Sequence, residues 1–233
     1  MTRWQRRKDE RPREIVAAGL ACFAERGFAA TRLEDVAKRA GITKGTLYLY
    51  FPNKEELFKA VVRQAVVTNI VRGEALVAHS SEPAPVVLEQ MIARLQAAME
   101  APASAIPKIV IAEAGNFPDI ARFYLKEVVQ RGLRLFQRVL KAGVARGELR
   151  SMDIERTAYC IVAPLVLGML WRHSFARHER RPLDTNALCR AHVQILLRGL
   201  LPDRALHSVA AGKPRQGSRS RPARKPQRNG AAE

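Results

Sequence analysis

Between residues 13 and 202 apolar positions recur at intervals of three and four, in blocks separated by glycine, proline and capping residues. No stretch alternates with the period of two that a strand ladder needs, so the pattern predicts an all-α chain. Val16, Leu20 and Phe23 share one face of a first helix. Pro12 suits its first position, where a missing N–H costs nothing, and Gly27 is placed to end it with a positive φ. Thr31-Arg32-Leu33-Glu34 has the spacing of a capping box and predicts a short second helix that closes at Gly41. Its inner face is Leu33, Val36, Ala37 and Ala40. Thr43 is the cap of a third helix, KGTLYLYF, stopped by Pro52. Asn53, with Glu56 three residues on, caps a fourth that carries Leu57, Phe58, Val61 and Val62.

The order is helix, tight turn, short exposed helix, inside a small bundle. A second helix of that kind fits the major groove of DNA, N-terminal residues first. The third helix displays Tyr48 and Tyr50, two of the chain's four tyrosines, beside Lys44, Thr46 and Lys54. Hydroxyl and ammonium groups are what phosphate oxygens accept from, and Thr or Tyr can also touch a thymine methyl. Gly45 lets the backbone come close to DNA.

From residue 60 to 202 the pattern predicts five or six further helices. Pro85 opens one carrying Leu88, Met91, Leu95 and Met99, and a short one lies near Pro107–Ala114. A long amphipathic helix runs from Pro118 to about Ala145, Asp153 caps one to about Phe175, and Asp184 caps one to Leu200. The run Ala158–Trp171 is apolar all round over 14 residues, with Pro164 placed to kink it. That is short of the roughly 20 residues a bilayer span takes. A helix apolar on every side must be covered on two sides, one by its own domain and one by a second subunit. Ile161, Leu165 and Gly168, with Leu188, Ala191 and Ile195 of the last helix, are the expected homodimer interface, a four-helix contact across a twofold axis.

Charge adds a partner. Forty Lys and Arg against 22 Asp and Glu give a net charge of +18 over 233 residues. Such an excess points to a polyanion, nucleic acid or an anionic membrane. It concentrates at the ends, +4 in residues 1–13 and +6 in residues 203–233. The last stretch, rich in Pro, Gly, Ser and Arg, buries too little to order itself, and the composition predicts a disordered tail.

The run GFAATRLEDVAKRAGITKGTLYLYFPNKEELF resembles the N-terminal domain of TetR-type transcriptional regulators, over about residues 11–62. The stretch from Ile111 to Arg150 resembles the ligand domain of an AefR/AcrR-like subgroup. The resemblance implies a basic arm (1–10), a three-helix DNA-binding head (11–62), a larger effector-binding and dimerisation domain (63–202) and the tail (203–233). It further implies a homodimer on a pseudo-palindromic double-stranded operator, released by a small, largely apolar effector. Carried over residue by residue, Thr31 touches a phosphate, Thr43, Lys44, Gly45 and Thr46 lie along base edges or backbone, Tyr48 and Tyr50 reach phosphate or base, and Lys54 clamps a phosphate. Leu49 stands where the family varies. A pocket is implied in the larger domain, with Met91, Leu95, Phe117, Phe123, Tyr159, Met169 and Trp171 as candidate lining. The competing reading is an architectural protein that coats DNA through its basic termini.

Nothing in the sequence suggests an enzyme. There is no GxSxG, Walker loop or GxGxxG after a strand, and no cofactor or metal site is expected. His173 and His178 are five apart and share no helix face. Cys22, Cys160 and Cys189 are scattered, odd in number and without a CxxC pair, as in a reduced cytoplasmic chain with buried thiols. No apolar segment follows the charged N-terminus as a secretory signal would. No membrane partner is expected.

Overall fold

The computed structural model describes residues 3–181 and 183–202, with side chains from Glu10 onward. The tail expected at 203–233 lies outside them. Among the described residues every regular element is helical. The α-helices are α1 (Arg3–Ala30), α2 (Leu33–Arg39), α3 (Lys44–Tyr50), α4 (Lys54–Val62), α5 (Thr68–His79) and α6 (Ala84–Glu100). They continue with α7 (Ile106–Glu113), α8 (Pro118–Tyr124), α9 (Arg131–Ala145), α10 (Ile154–Ser174) and α11 (Thr185–Leu200). Two π-helical turns splice neighbours into longer rods, Arg63–Val67 between α4 and α5 and Leu125–Gln130 between α8 and α9. The rod from Pro118 to Ala145 is the long amphipathic helix that the sequence predicts.

Two local expectations are corrected. Pro12 lies inside α1, which begins at Arg3. A proline within a helix forfeits one hydrogen bond to the preceding turn without having to end the helix. The box at Thr31 does not form. Arg32 occupies the N-cap of α2 without a side-chain bond, while the Thr31 hydroxyl donates backward to the carbonyls of Gly27 (2.6 Å) and Cys22 (3.2 Å). Gly27, at φ 79°, turns the chain sharply there, and those two carbonyls offer better partners than the amides ahead.

Two apolar cores result. The first centres on Phe23, Phe28 and Phe58, whose ring centroids lie 5.2–5.7 Å apart. It gathers α1–α4 and reaches Ile106, Ile109 and Val110 of α7 and Ile120 of α8. The expected boundary at residue 62 therefore does not separate the cores. Residues of α7 and α8 complete the cover over the three phenylalanines. The second core joins α6, α9, α10 and α11 through Leu88, Met99, Leu140, Ile161, Leu165 and Cys189.

The orientation of α10 corrects the interface expectation. Ile161, Leu165 and Gly168 are buried inside their own subunit, and a Cβ on Gly168 would meet Met99 Cε at 2.4 Å. The outward stripe is Tyr159, Cys160, Ala163 and Leu167. An all-apolar helix hides which side is the inner one, and only the packed neighbours choose. On α11 the expectation fits better, since Ala191 and Ile195 face outward, Ile195 at 71% exposure, and Leu188 is half-buried. The helix also outruns its apolar run. At 21 residues and mean hydropathy 1.3 it is long and apolar enough to cross a membrane by length and composition. Its inner stripe, however, is built into the second core, as in the core helix of a folded domain.

Candidate nucleic-acid interface and cavity

The turn between α2 and α3 is tight because Gly41 adopts φ 65° and the Ile42 amide bonds back to the Ala37 carbonyl at 3.0 Å. Thr43 then caps α3, its Oγ1 accepting from the Thr46 amide at 3.2 Å and lying 2.9 Å from the Thr46 hydroxyl. Leu47 is fully buried and pins the helix, while Tyr50 and Phe51 are half-buried against the first core. The fixed inner side leaves an outer side of Thr43, Lys44, Gly45, Tyr48 and Leu49, with Thr46 half-buried at its edge. Leu49 is 83% exposed, an apolar side chain offered to solvent at the centre of this face.

Lys44 forms an ion pair with Glu34 of α2 and sits 5.8 Å from the Tyr48 ring centroid. The hydrogen bond from Lys44 holds the Glu34 carboxyl below its ordinary range, and the same bond raises the Lys44 pKa. Both side chains are more than half exposed. Solvated pairs of this kind are worth little, so the ammonium can exchange Glu34 for a phosphate at small cost.

Two residues expected on this interface are engaged by other parts of the protein. Thr31 is 1% exposed, with its hydroxyl engaged by two carbonyls, and presents nothing to a phosphate. Lys54 Nζ donates to the Ala29 carbonyl at 2.9 Å and lies 4.6 Å from the Phe28 ring centroid. Burial lowers its pKa, and the charge of Glu113 pulls it back up. Sequence spacing placed both residues correctly along the chain, but no local signal told which way their side chains turn.

The larger part of the molecule holds a cavity of about 630 Å³, open to solvent on one side and walled by α5–α10 and by both π-helical turns. Met91, Leu95, Tyr159 and Met169 line it, as expected. Phe117, Phe123 and Trp171 do not. Phe117 stacks edge-on against Phe28 at 4.7 Å, Phe123 receives the Arg63 guanidinium at 4.9 Å, and Trp171 leans on Phe175 at 4.9 Å. The lining that sequence reasoning missed is spread over α5–α10, and part of it comes from the π-helical turns, with Val66 on one and Leu125, Val128 and Val129 on the other. A π-helical turn leaves no mark in the hydrophobic periodicity, although such turns are frequent at functional sites. Arg94, exposed at the rim, is the one charged residue among the lining. Protein surrounds the Tyr124 phenol on the wall, and that desolvation pushes its pKa up, so it stays a neutral hydroxyl.

Beside the cavity His173 Nε2 lies 2.8 Å from the Ser104 hydroxyl, which donates to the Ala101 carbonyl at 2.7 Å. Burial lowers the His173 pKa, helped by Arg172 and Lys108. Cys22 and Cys189 are buried, as expected, whereas Cys160 is exposed on the outer stripe of α10. Among the described residues no cluster of three His, Cys, Asp or Glu side chains could hold a metal ion.

Comparison with known proteins bears on both halves. A family described as "Bacterial regulatory proteins, tetR family" matches residues 15–61, and one described as "AefR-like transcriptional repressor, C-terminal domain" matches residues 87–198. The chain is 33% identical over 150 residues to the HTH-type transcriptional repressor KstR2 of Rhodococcus jostii, covering 64% of this chain and 72% of that one. A TetR-family regulator structure from Mesorhizobium loti superposes with a TM-score of 0.64 at 25% identity, covering 87% of this chain and 100% of that one. The regulator FadR of Bacillus subtilis, solved with stearoyl-CoA, superposes with a TM-score of 0.60 at 20% identity, covering 80% and 98%, a likeness of fold.

Proposed function

The chain belongs to the TetR family of bacterial regulatory proteins, and on that premise we propose that it acts as a homodimeric repressor released from its operator by an amphiphile that fills the 630 Å³ cavity. That it is a DNA-binding transcriptional regulator follows from the family. The observation that carries the finer reading is the pairing, in one chain, of a rigidly capped α3 with a large apolar hollow.

In this reading Thr43, Lys44, Gly45, Thr46, Tyr48 and Leu49 face the major groove, with Tyr50 at the edge. Paired heads meet half-sites about one helical turn apart. The dimer face is built from Cys160 of α10 and from Ala191 and Ile195 of α11, with Ala163 and Leu167 of α10 bordering both that face and the cavity. The ligand is elongated and mostly apolar, with a polar group for the Tyr124 hydroxyl and an anionic end for Arg94. A cavity of this volume suits a ligand of drug or lipid size. Ligand binding favours a state in which the two heads no longer match successive grooves. The coating reading draws on the basic termini alone and leaves the shaped α3 and the cavity unused.

The test begins with selection of bound fragments from random duplex DNA at physiological salt. An enriched inverted repeat supports the dimeric operator reading, and tight binding without an enriched motif sinks it. A saturated fatty acid and its methyl ester are then titrated into the complex. Release by the acid, weakened in Arg94→Ala, supports the effector reading, and binding without any release ends it.

A further inference from the structure

Ala29 sits in the turn that follows Gly27, and its two backbone groups are held by two side chains of opposite charge from two other helices. Its amide donates to Glu113 Oε1 of α7 at 3.2 Å, and its carbonyl accepts from Lys54 Nζ of α4 at 2.9 Å. Glu113 is braced in turn by Asn116 Nδ2 at 3.3 Å. Under this arrangement Phe28 stacks on Phe117, and the Lys54 ammonium lies over the Phe28 face. The two peptide units that flank the Ala29 Cα are thus held by α4, which follows α3, and by α7, which also walls the cavity.

We propose that Glu113 and Lys54 are a pair of positioning residues that latch the DNA-binding head to α7 through Ala29, and that Lys54 serves DNA binding by this latch and not by contact with a phosphate. Each backbone group of Ala29 has the partner that its dipole prefers, a carboxylate for the amide and an ammonium for the carbonyl. The Lys54 bond, at 2.9 Å, has the length of a charge-assisted hydrogen bond, and the Glu113 bond, at 3.2 Å, is longer. Burial of Lys54 and its attraction to Glu113 fit a side chain committed inward. Without the latch the apolar stack of Phe28 on Phe117 remains, so the fold persists, but the head loses the directional contact from Glu113 that ties Ala29 to α7 and the Lys54 bond that holds Ala29 to α4. A dimer that must place two heads in successive grooves depends on the angle of the head to the body.

The latch rests on operator binding by the family, and the experiment separates the two. Affinity of the full-length protein for its selected operator is measured against salt for wild type, Lys54→Met, Glu113→Ala and the double variant. Methionine keeps an apolar stem over Phe28 and removes only the ammonium. The expected result is a loss of about tenfold for each single variant and no further loss in the double, the non-additivity of residues acting on one group. The slope of affinity on salt stays as in wild type. A phosphate clamp behaves otherwise: Lys54→Met flattens the slope by about 0.9 per subunit, and Glu113→Ala leaves affinity unchanged. Either of those results overturns the latch, as do losses that multiply in the double. Should Lys54→Met fail to fold, amide exchange decides: Ala29 exchanges faster in Glu113→Ala if the latch holds, and an unchanged rate overturns it. Absence of any operator for wild type would count against the repressor reading instead.

Discussion

The head and the body use the same side chains to different ends. Leu47, Leu57, Phe58, Val61 and Val62 of the head are fully buried around interlocked aromatic rings. The body packs Leu140 and Ile161 as completely, yet keeps a hollow of about 630 Å³ beside them. Walls that face a hollow meet fewer protein atoms than side chains packed on every side. The head therefore holds α3 in one place, while the body offers apolar walls that a ligand can cover, and any molecule that binds only the folded state stabilises it. The contrast is blurred at one point. α7 belongs to the head's core on one side and to the cavity wall on the other.

The sharpest way to break this comparison is to hollow the head. Phe58→Ala should cost about 3–5 kcal/mol, read as a shift in the urea midpoint. A half-buried cavity wall residue such as Leu95 should cost about 1 kcal/mol on truncation to Ala. Equal losses would mean that the head is no better packed than the body. Next in size is the two-sidedness of α10. Leu165→Ala should destabilise the subunit by about 2–5 kcal/mol, whereas Ile195→Asp on the outer face of α11 should leave the fold intact and turn a sedimenting dimer into a monomer. A dimer that survives Ile195→Asp would move the interface off α11.

Thr31→Val removes a hydroxyl that bonds two carbonyls of the head. It should cost about 1–2 kcal/mol in stability and leave the salt dependence of DNA binding unaltered; a flattened salt slope would return Thr31 to the phosphate backbone. A smaller effect lies at the cavity edge. The His173 pKa is depressed on folding, so the neutral ring is favoured in the folded state. Above the unfolded pKa, about 6.5, both states hold neutral His173 and nothing is lost. As pH falls through that value the unfolded chain takes the proton first, and stability declines toward the lower folded pKa. His173→Gln should lessen the decline between about pH 7.5 and pH 5.5, as urea midpoints would reveal; an unchanged decline would assign it to other groups. The smallest stability change belongs to Leu49→Ala, within about 0.5 kcal/mol, with a changed base preference in the selected site. An identical preference would remove Leu49 from the interface.

The head was largely legible because its signals are local. A cap at Thr43, a positive φ at Gly41 and buried Leu47 each depend on neighbours within a few residues, and all three appear as the sequence implies. Where the direction of a side chain was not legible, the deciding partner was either a carbonyl behind a sharp turn, for Thr31, or a group distant along the chain, for Lys54. The body's helices were legible from the same periodicity, but its cavity was not. Phe117 and Phe123 carry the composition of pocket residues and yet serve the head's core and a guanidinium.

By itself the amino-acid sequence determined the all-helical fold, the order and caps of the helices around α3, and the family, since each rests on residue spacing along one chain. Tertiary structure alone decided which side of α10 faces inward, which residues wall the cavity, and that Lys54 and Glu113 meet at Ala29. Those outcomes depend on which surfaces of distant helices come into contact, and periodicity gives each helix an apolar face without saying what that face will meet.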